Sequence, residues 1–174
     1  RVEVFREPGG TELSEKIRSL LLETDIDIDP VSELLLFSAA RAQLISERVL
    51  PLLDEGAVVI LDRFYDSTTA YQGYGRSSAS LEAIAELNEL ASHRRRPDLT
   101  FYLKISLGES KKRIDSFPKD RMEQSGDHFF RKVIQGFDEL SLREPRIIPV
   151  DATLSQQQVH EVIWNRTLQE LNQH

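Results

Sequence analysis

Cysteine is absent from this chain of 174 residues. Without thiols there can be no disulfide, no thiolate nucleophile and no zinc site built on sulfur, and the chain suits a reducing, cytoplasmic setting. Long apolar runs are missing too: none approaches the roughly 18 residues of a membrane span, so no membrane partner is expected. Acidic residues outnumber basic ones, 29 Asp and Glu against 22 Lys and Arg. The net charge of −7 and pI of about 5.2 speak against the basic face that a nucleic acid polymer requires. His93, His128, His160 and His174 are scattered without ligand spacing, which offers no histidine metal centre. What remains is an ordinary composition, 40% apolar and 29% charged, suited to one globular domain over 1–174. Such an acidic protein still binds a small anion where its few cations converge on one cleft.

Apolar runs and helical periods alternate along the chain. "VEVF" (2–5) reads as a strand and "EPGG" (7–10) as a turn, because Pro presets φ and Gly permits positive φ. Leu13, Ile17, Leu20 and Leu21 predict an amphipathic helix over 11–23. Asp29 and Pro30 read as the cap and first residue of a helix over 31–54. Its apolar character predicts deep burial, and Pro51 a kink or an end. "AVVIL" (57–61) has the β-branched continuity of a strand covered on both sides. A helix follows at 80–92, with Leu81, Ile84, Leu87 and Leu90 on one side, then a strand at 99–105. Ser106 with Glu109 form a capping-box pattern; 115–127 lacks periodicity and reads as a mobile lid loop. Phe130 to Leu140 mark another helix, "RIIPV" (146–150) a short strand, and Ser155 with Gln158 cap a final helix.

This alternation predicts an α/β fold, a doubly wound parallel sheet with helices on both faces. Ligands bind such sheets beyond the carboxyl ends of the strands. "REPGG", "DRFYDSTTAYQG" and "DAT" all fall there. At the tip of 57–61, Arg63 is a fork suited to phosphate, and Asp62 can orient it or hold the water shell of a magnesium ion. The same pair would also close a strand as a surface ion pair. Ser67, Thr68, Tyr71 and Gln72 fall on one face of a helical turn, being spaced by four. Phe37 and Arg41 are likewise four apart: a stacking plane and a donor to a base edge, or a core ring and a snorkelling cation. An arginine inside so apolar a helix needs a partner. Arg6, Glu7 and Arg18 flank the Pro-Gly-Gly turn, and Arg113, Lys119 and Arg121 lie in or beside the lid, where cations can close over phosphates or stay solvated.

Set side by side, "REPGGT", "FSAAR", "DRFYDSTTAYQG", "RPDLTFYL" and "DRMEQ" resemble, in order and over essentially the whole chain, the bacterial thymidylate kinases. The resemblance implies a P-loop nucleoside monophosphate kinase fold and phosphoryl transfer from ATP to dTMP, giving dTDP on the way to dTTP, with Mg²⁺ and as a homodimer. It implies that Phe37 stacks on thymine, Arg41 donates to the base O4, and Thr68 and Gln72 meet the base edge. Tyr71 would exclude a ribose 2′-hydroxyl. Arg18 and Arg63 would hold the dTMP phosphate beside Glu7 and Pro8, with Glu7 and Asp62 ordering the magnesium and the water around it, Asp62 through water. Arg121 would reach the transferring phosphoryl group, so Arg63, Arg121 and Asp62 carry catalysis; Ala152 and Thr153 would lie against the adenine.

One feature of the family is not found. The phosphate-binding loop G-x-x-x-x-G-K-[ST] has no match in these residues. The family's strand order, 2-3-1-4-5, makes the absent strand the central one. The sequence opens at Arg1, directly in strand-like text, and its only methionine is Met122, so a further strand and helix upstream are expected. Taken as complete, the chain is expected to show no ATP-dependent activity. The alternatives are a nucleotide-binding relative without catalysis, or a deoxynucleoside kinase, which would need a carboxylate base beside a 5′-hydroxyl.

Overall fold

The computed structural model describes residues 1–23, 26–114 and 121–172. The chain divides into two compact units, Arg1–Arg95 with Lys119–Gly136, and Arg96–Pro118 with Phe137–His174.

In the first unit, β1 (Val2–Arg6) pairs in parallel with β2 (Val58–Asp62), Val4 opposite Ile60 and Arg6 opposite Asp62. Between them lie α1 (Glu12–Leu22), α2 (Pro30–Leu44), a π-helical segment (Ile45–Val49) and α3 (Leu50–Asp54). The helix starts follow local chemistry. Thr11 accepts from the Ser14 N–H at 3.1 Å, and Asp29 from those of Val31 and Ser32 at 2.9 and 3.2 Å, with Pro30 at the first helical position. The wide turn at 45–49 precedes Pro51, which cannot donate to the ladder, so the expected kink is a π bulge and the helix continues to Asp54.

Hydrophobic clusters hold these elements. Ile17, Leu21 and Ala40 cluster with Ile28, Leu36 and Phe37; Leu44, Ile45 and Val49 cluster with Phe5, Val59, Leu61 and Phe64. Each fully buried large aliphatic side chain, such as Leu21 or Leu44, contributes about 1.5–3 kcal/mol. The Ser14 hydroxyl donates to the Ala40 carbonyl at 2.8 Å and fixes α1 on α2. The unit continues through α4 (Tyr65–Thr68), a second π-helical segment (Thr69–Gly75) and α5 (Leu81–Ala91), capped by Ser80.

Burial departs from the sequence pattern in three places. β2 is covered on one face only: Val59 and Leu61 enter the core while Val2, Val4 and Ile60 lie exposed on the other, because the two-stranded ladder has helices packed on one side. The helix from residue 31 is not deeply buried all round: it buries Glu33, Ser38 and Arg41 and exposes Val31 and Leu35. In α5, Leu90 is 74% exposed, and the buried line runs through Ile84, Asn88 and Ala91. Satisfied polar groups take the places that hydrophobicity alone would give to leucine.

In the second unit, β3 (Thr100–Lys104) pairs in parallel with β4 (Ile147–Asp151). Ser106 accepts from the Glu109 N–H at 3.3 Å as α6 (Leu107–Ile114) begins. α7 (Gly126–Arg143) belongs to the first unit as far as Gly136. α8 (Gln156–Leu171) opens on a complete capping box, Ser155 with Gln158. Of the loop expected over 115–127, residues 115–120, Lys119 among them, lie outside the described residues. The remainder forms a 3₁₀ turn (Glu123–Ser125), and α7 starts at Gly126, a turn before Phe130. Among the described residues no helix is long and apolar enough to cross a membrane.

Candidate functional site

Parallel pairing sets the geometry of the site. Because Arg6 lies opposite Asp62, both strands of the first unit end at one level, and the Glu7 N–H donates to the Asp62 carbonyl at 2.9 Å. The two following loops therefore leave the sheet edge side by side. After β1 the chain turns through Gly9 and Gly10 at φ +144° and +87°. A Cβ on Gly10 would stand 2.7 Å from Leu44 Cδ1, so glycine is required on both counts. Arg18 donates to the Pro8 carbonyl at 3.0 Å, and Glu15 accepts from the Gly10 N–H at 2.8 Å while pairing with Arg6. The Gly10 N–H, with Arg6 and Arg18, holds the Glu15 carboxyl below its usual range. After β2, Arg63 adopts φ +70°, strained for a non-glycine residue, and its guanidinium lies 5.2 Å from the centre of the Tyr71 ring. Asp62 is exposed at the strand end.

At the centre lies Arg41, 2% exposed. Its Nε donates to Glu7 Oε2 at 2.8 Å, one Nη to Thr68 Oγ1 at 2.9 Å and the other to Asn88 Oδ1 at 3.4 Å. Its guanidinium also sits 5.5 Å from the Phe64 ring centre. One buried cation thus ties together the loop after β1, helix α2, helix α4 and helix α5. Glu7 keeps its other oxygen, Oε1, buried with no hydrogen-bond partner among the described residues. Burial pushes the Glu7 carboxyl up, although the Arg41 charge pulls it down.

A second polar knot adjoins it. Glu33, on the face of α2 that also carries Phe37 and Arg41, accepts from Gln72 Nε2 at 2.8 Å and from Arg76 Nε at 3.4 Å, and pairs with Arg121 Nη2 at 2.6 Å. Arg121 Nε donates to the Leu21 carbonyl at 2.9 Å. Phe37 packs on the Ile17–Leu21–Ala40 cluster. The π-helical turn over 69–75 keeps Gln72 buried one turn beyond the buried Thr68.

In the second unit, Ala152 N–H donates to the Lys104 carbonyl at 2.9 Å, and Asp151 accepts from both the N–H and the hydroxyl of Thr153, at 2.8 and 2.7 Å. Those two bonds lower the Asp151 carboxyl. Among the described residues no group of three or more His, Cys, Asp or Glu is placed to hold a metal ion.

Of the residues singled out by sequence, the structure links Glu7, Arg41 and Thr68 directly. Gln72 and Arg121 meet on Glu33, Arg63 meets Tyr71, and Arg18 meets the Pro8 backbone. Glu33, Arg76 and Asn88 were not singled out. For Glu33 a signal existed: it precedes Phe37 by four residues and Arg41 by eight, a polar stripe on an otherwise apolar helix.

Parallel strands that alternate with helices and end beside buried arginines and carboxylates define an α/β protein with a polar site at its strand ends. Comparison with known proteins narrows this class. The thymidylate kinase family matches over residues 1–163. Relatives include a thymidylate kinase of Chlorobaculum parvum, 48% identical over 170 residues, 91% of this chain and 78% of that protein. One of Chlorobium limicola is 46% identical over 172 residues, 91% and 77% of the two chains, and one of Thermoanaerobacter sp. is 40% identical over 161 residues, 92% and 79%. The chain belongs to the thymidylate kinase family. The family implies a P-loop nucleoside monophosphate kinase fold, and the parallel strands alternating with helices agree with it.

Proposed function

We propose that this chain is the body of an enzyme that transfers the γ-phosphoryl group of ATP to dTMP, giving dTDP and ADP, as one nucleoside monophosphate kinase domain working in the cytoplasm. The observation that carries this reading is the Glu7–Arg41–Thr68 network. It draws "REPGG", "FSAAR" and "DSTTAYQG", three segments distant in sequence, into one buried constellation at the strand ends.

In this reading Phe37 and Arg41 face the thymine, Thr68 and Gln72 its edge, and Tyr71 the sugar. Arg18 and Arg63 hold the dTMP phosphate beside Pro8. Ala152 and Thr153 lie against the adenine. The acceptor needs no general base: a phosphate monoester with a second pKa near ~6 is already anionic at neutral pH. The obstacle is the repulsion between two polyanions, which converging guanidinium groups offset. Mg²⁺ suits the donor set. Magnesium takes hard oxygen ligands and keeps most of its waters, and the unpartnered Glu7 Oε1 and the exposed Asp62 carboxylate are such oxygens, held at neighbouring strand ends. When bound it would neutralise phosphate charge.

One finer point belongs to the same proposal. The protein is a homodimer, for which the exposed Val31 and Leu35 of α2 offer an apolar face. The test is a coupled ADP-release assay on the protein as its gene encodes it, with dTMP, dCMP and thymidine as acceptors. Turnover with dTMP and little with the other two is expected; preference for thymidine would overturn the reading.

A further inference from the structure

Glu33 is 1% exposed, and both of its oxygens are engaged. Oε1 accepts from Gln72 Nε2 at 2.8 Å and Arg76 Nε at 3.4 Å; Oε2 faces Arg121 Nη2 at 2.6 Å. Neither guanidinium is free to wander. Arg76 also donates to Ser125 Oγ at 2.8 Å and lies 4.6 Å from the Phe129 ring centre, and Arg121 also donates to the Leu21 carbonyl at 2.9 Å. A carboxylate between two anchored cations only accepts. Gln72, itself 1% exposed, must therefore turn its NH₂ toward Glu33, since the flipped amide would set carbonyl against carboxylate in a buried place. The planar amide then has its carbonyl oxygen left for another partner.

We propose that Glu33 is a specificity-determining positioning residue. Clamped between Arg76 and Arg121, it fixes the Gln72 amide so that its carbonyl meets the pyrimidine. The site then selects a base with an N3–H, thymine or uracil, over cytosine, whose N3 is a lone pair. This rests on the reading of Gln72 as a base-edge residue. Thr68 leaves the choice to Gln72: its hydroxyl oxygen accepts from Arg41, and a hydroxyl serves donor and acceptor edges alike.

The test is equilibrium binding of dTMP and dCMP, by calorimetry, to the wild type, Glu33→Gln, Gln72→Ala and the double variant. Glu33→Gln leaves one oxygen for two cations and an amide, so Gln72 is released. The dTMP-over-dCMP affinity ratio should fall about tenfold or more, as expected for one lost base-edge contact. Gln72→Ala should lower it similarly, and adding Glu33→Gln to Gln72→Ala should change the ratio less than about twofold, because Glu33 acts through Gln72. A merely structural Glu33 would weaken both nucleotides alike and leave the ratio unmoved; with Gln72→Ala still lowering it, the proposal alone is overturned. An unchanged ratio in Gln72→Ala overturns the base-edge reading and the proposal with it. Should Glu33→Gln not fold, the wild type answers by NMR. The Gln72 side-chain NH₂ signals, identified by their loss in Gln72→Ala, should exchange slowly with water, and fast exchange would overturn the clamp.

Discussion

Replacing Arg41 by methionine removes the cation but keeps much of the side-chain volume, and the consequences can be worked out from its surroundings. Arg41 and Glu7 form an ion pair at 2.8 Å with both side chains almost wholly buried. Removing one partner of such a pair costs about 3–5 kcal/mol, because the other charge stays buried without compensation. Thr68 and Asn88 lose a donor as well. For a chain of this size each kcal/mol lowers Tm by about 2–4 °C, so Arg41→Met should unfold about 6–20 °C below the wild type. Pairing it with Glu7→Leu removes the stranded charge and should restore at least about half of the loss. The pH profile adds a second reading. Burial already raises the Glu7 carboxyl, and without Arg41 nothing nearby pulls it down. A carboxyl whose folded pKa exceeds its unfolded value near 4.5 favours the folded state when protonated, so stability falls as pH rises from that value through the folded pKa. Arg41→Met should therefore lie closest to the wild type in acid and furthest from it at neutral pH. Thermal unfolding of the wild type, the two single variants and the double variant, followed as pH rises from that value, reads the trend. A Tm loss under about 2 °C, a double variant no better than the single, or a deficit flat across pH would each refute a desolvated pair at this position.

Gly75→Ala places a Cβ 2.5 Å from Phe129 Cε2 and 3.0 Å from Val133 Cγ2, inside a packed cluster. Overpacking of this kind costs about 1–3 kcal/mol, against at most about 1 kcal/mol gained from alanine's helix preference. Urea unfolding should show a net loss, and a gain would contradict the packing. Tyr71 lies beneath the Arg63 guanidinium and meets Phe129 in a T-shaped pair with ring centres 5.9 Å apart. Tyr71→Phe keeps the ring and should leave the preference for the deoxy sugar intact, while Tyr71→Ala should admit the ribonucleotide; competition assays with both sugars that detect no gain for either variant would remove its steric role.

What was legible in the amino-acid order depended on neighbours within about one turn of chain. The caps at Asp29–Pro30 and Ser155–Gln158, and the Pro-Gly-Gly turn, follow from side chains and backbone groups within three residues of each other. The strand ends carrying "REPGG" and "DRFYD" were legible because apolar runs stop abruptly at charge. Phe37 and Arg41 stood out by their spacing on one helix. Asn88 and Arg76 did not, because their partners lie far off: Asn88 is 47 residues from Arg41, and Arg76 is 43 from Glu33.

The alternation of β and α segments, the parallel sense of the strands and the chemical types gathered at their ends were therefore written in the order of residues, since each rests on local periodicity and on the handedness of short crossovers. Which charges would be buried, and against which partners, was decided only when the elements packed. An arginine or glutamate enters a core only where other segments bring it acceptors and donors. Leu90 is left in water and Glu33 in the interior for that reason.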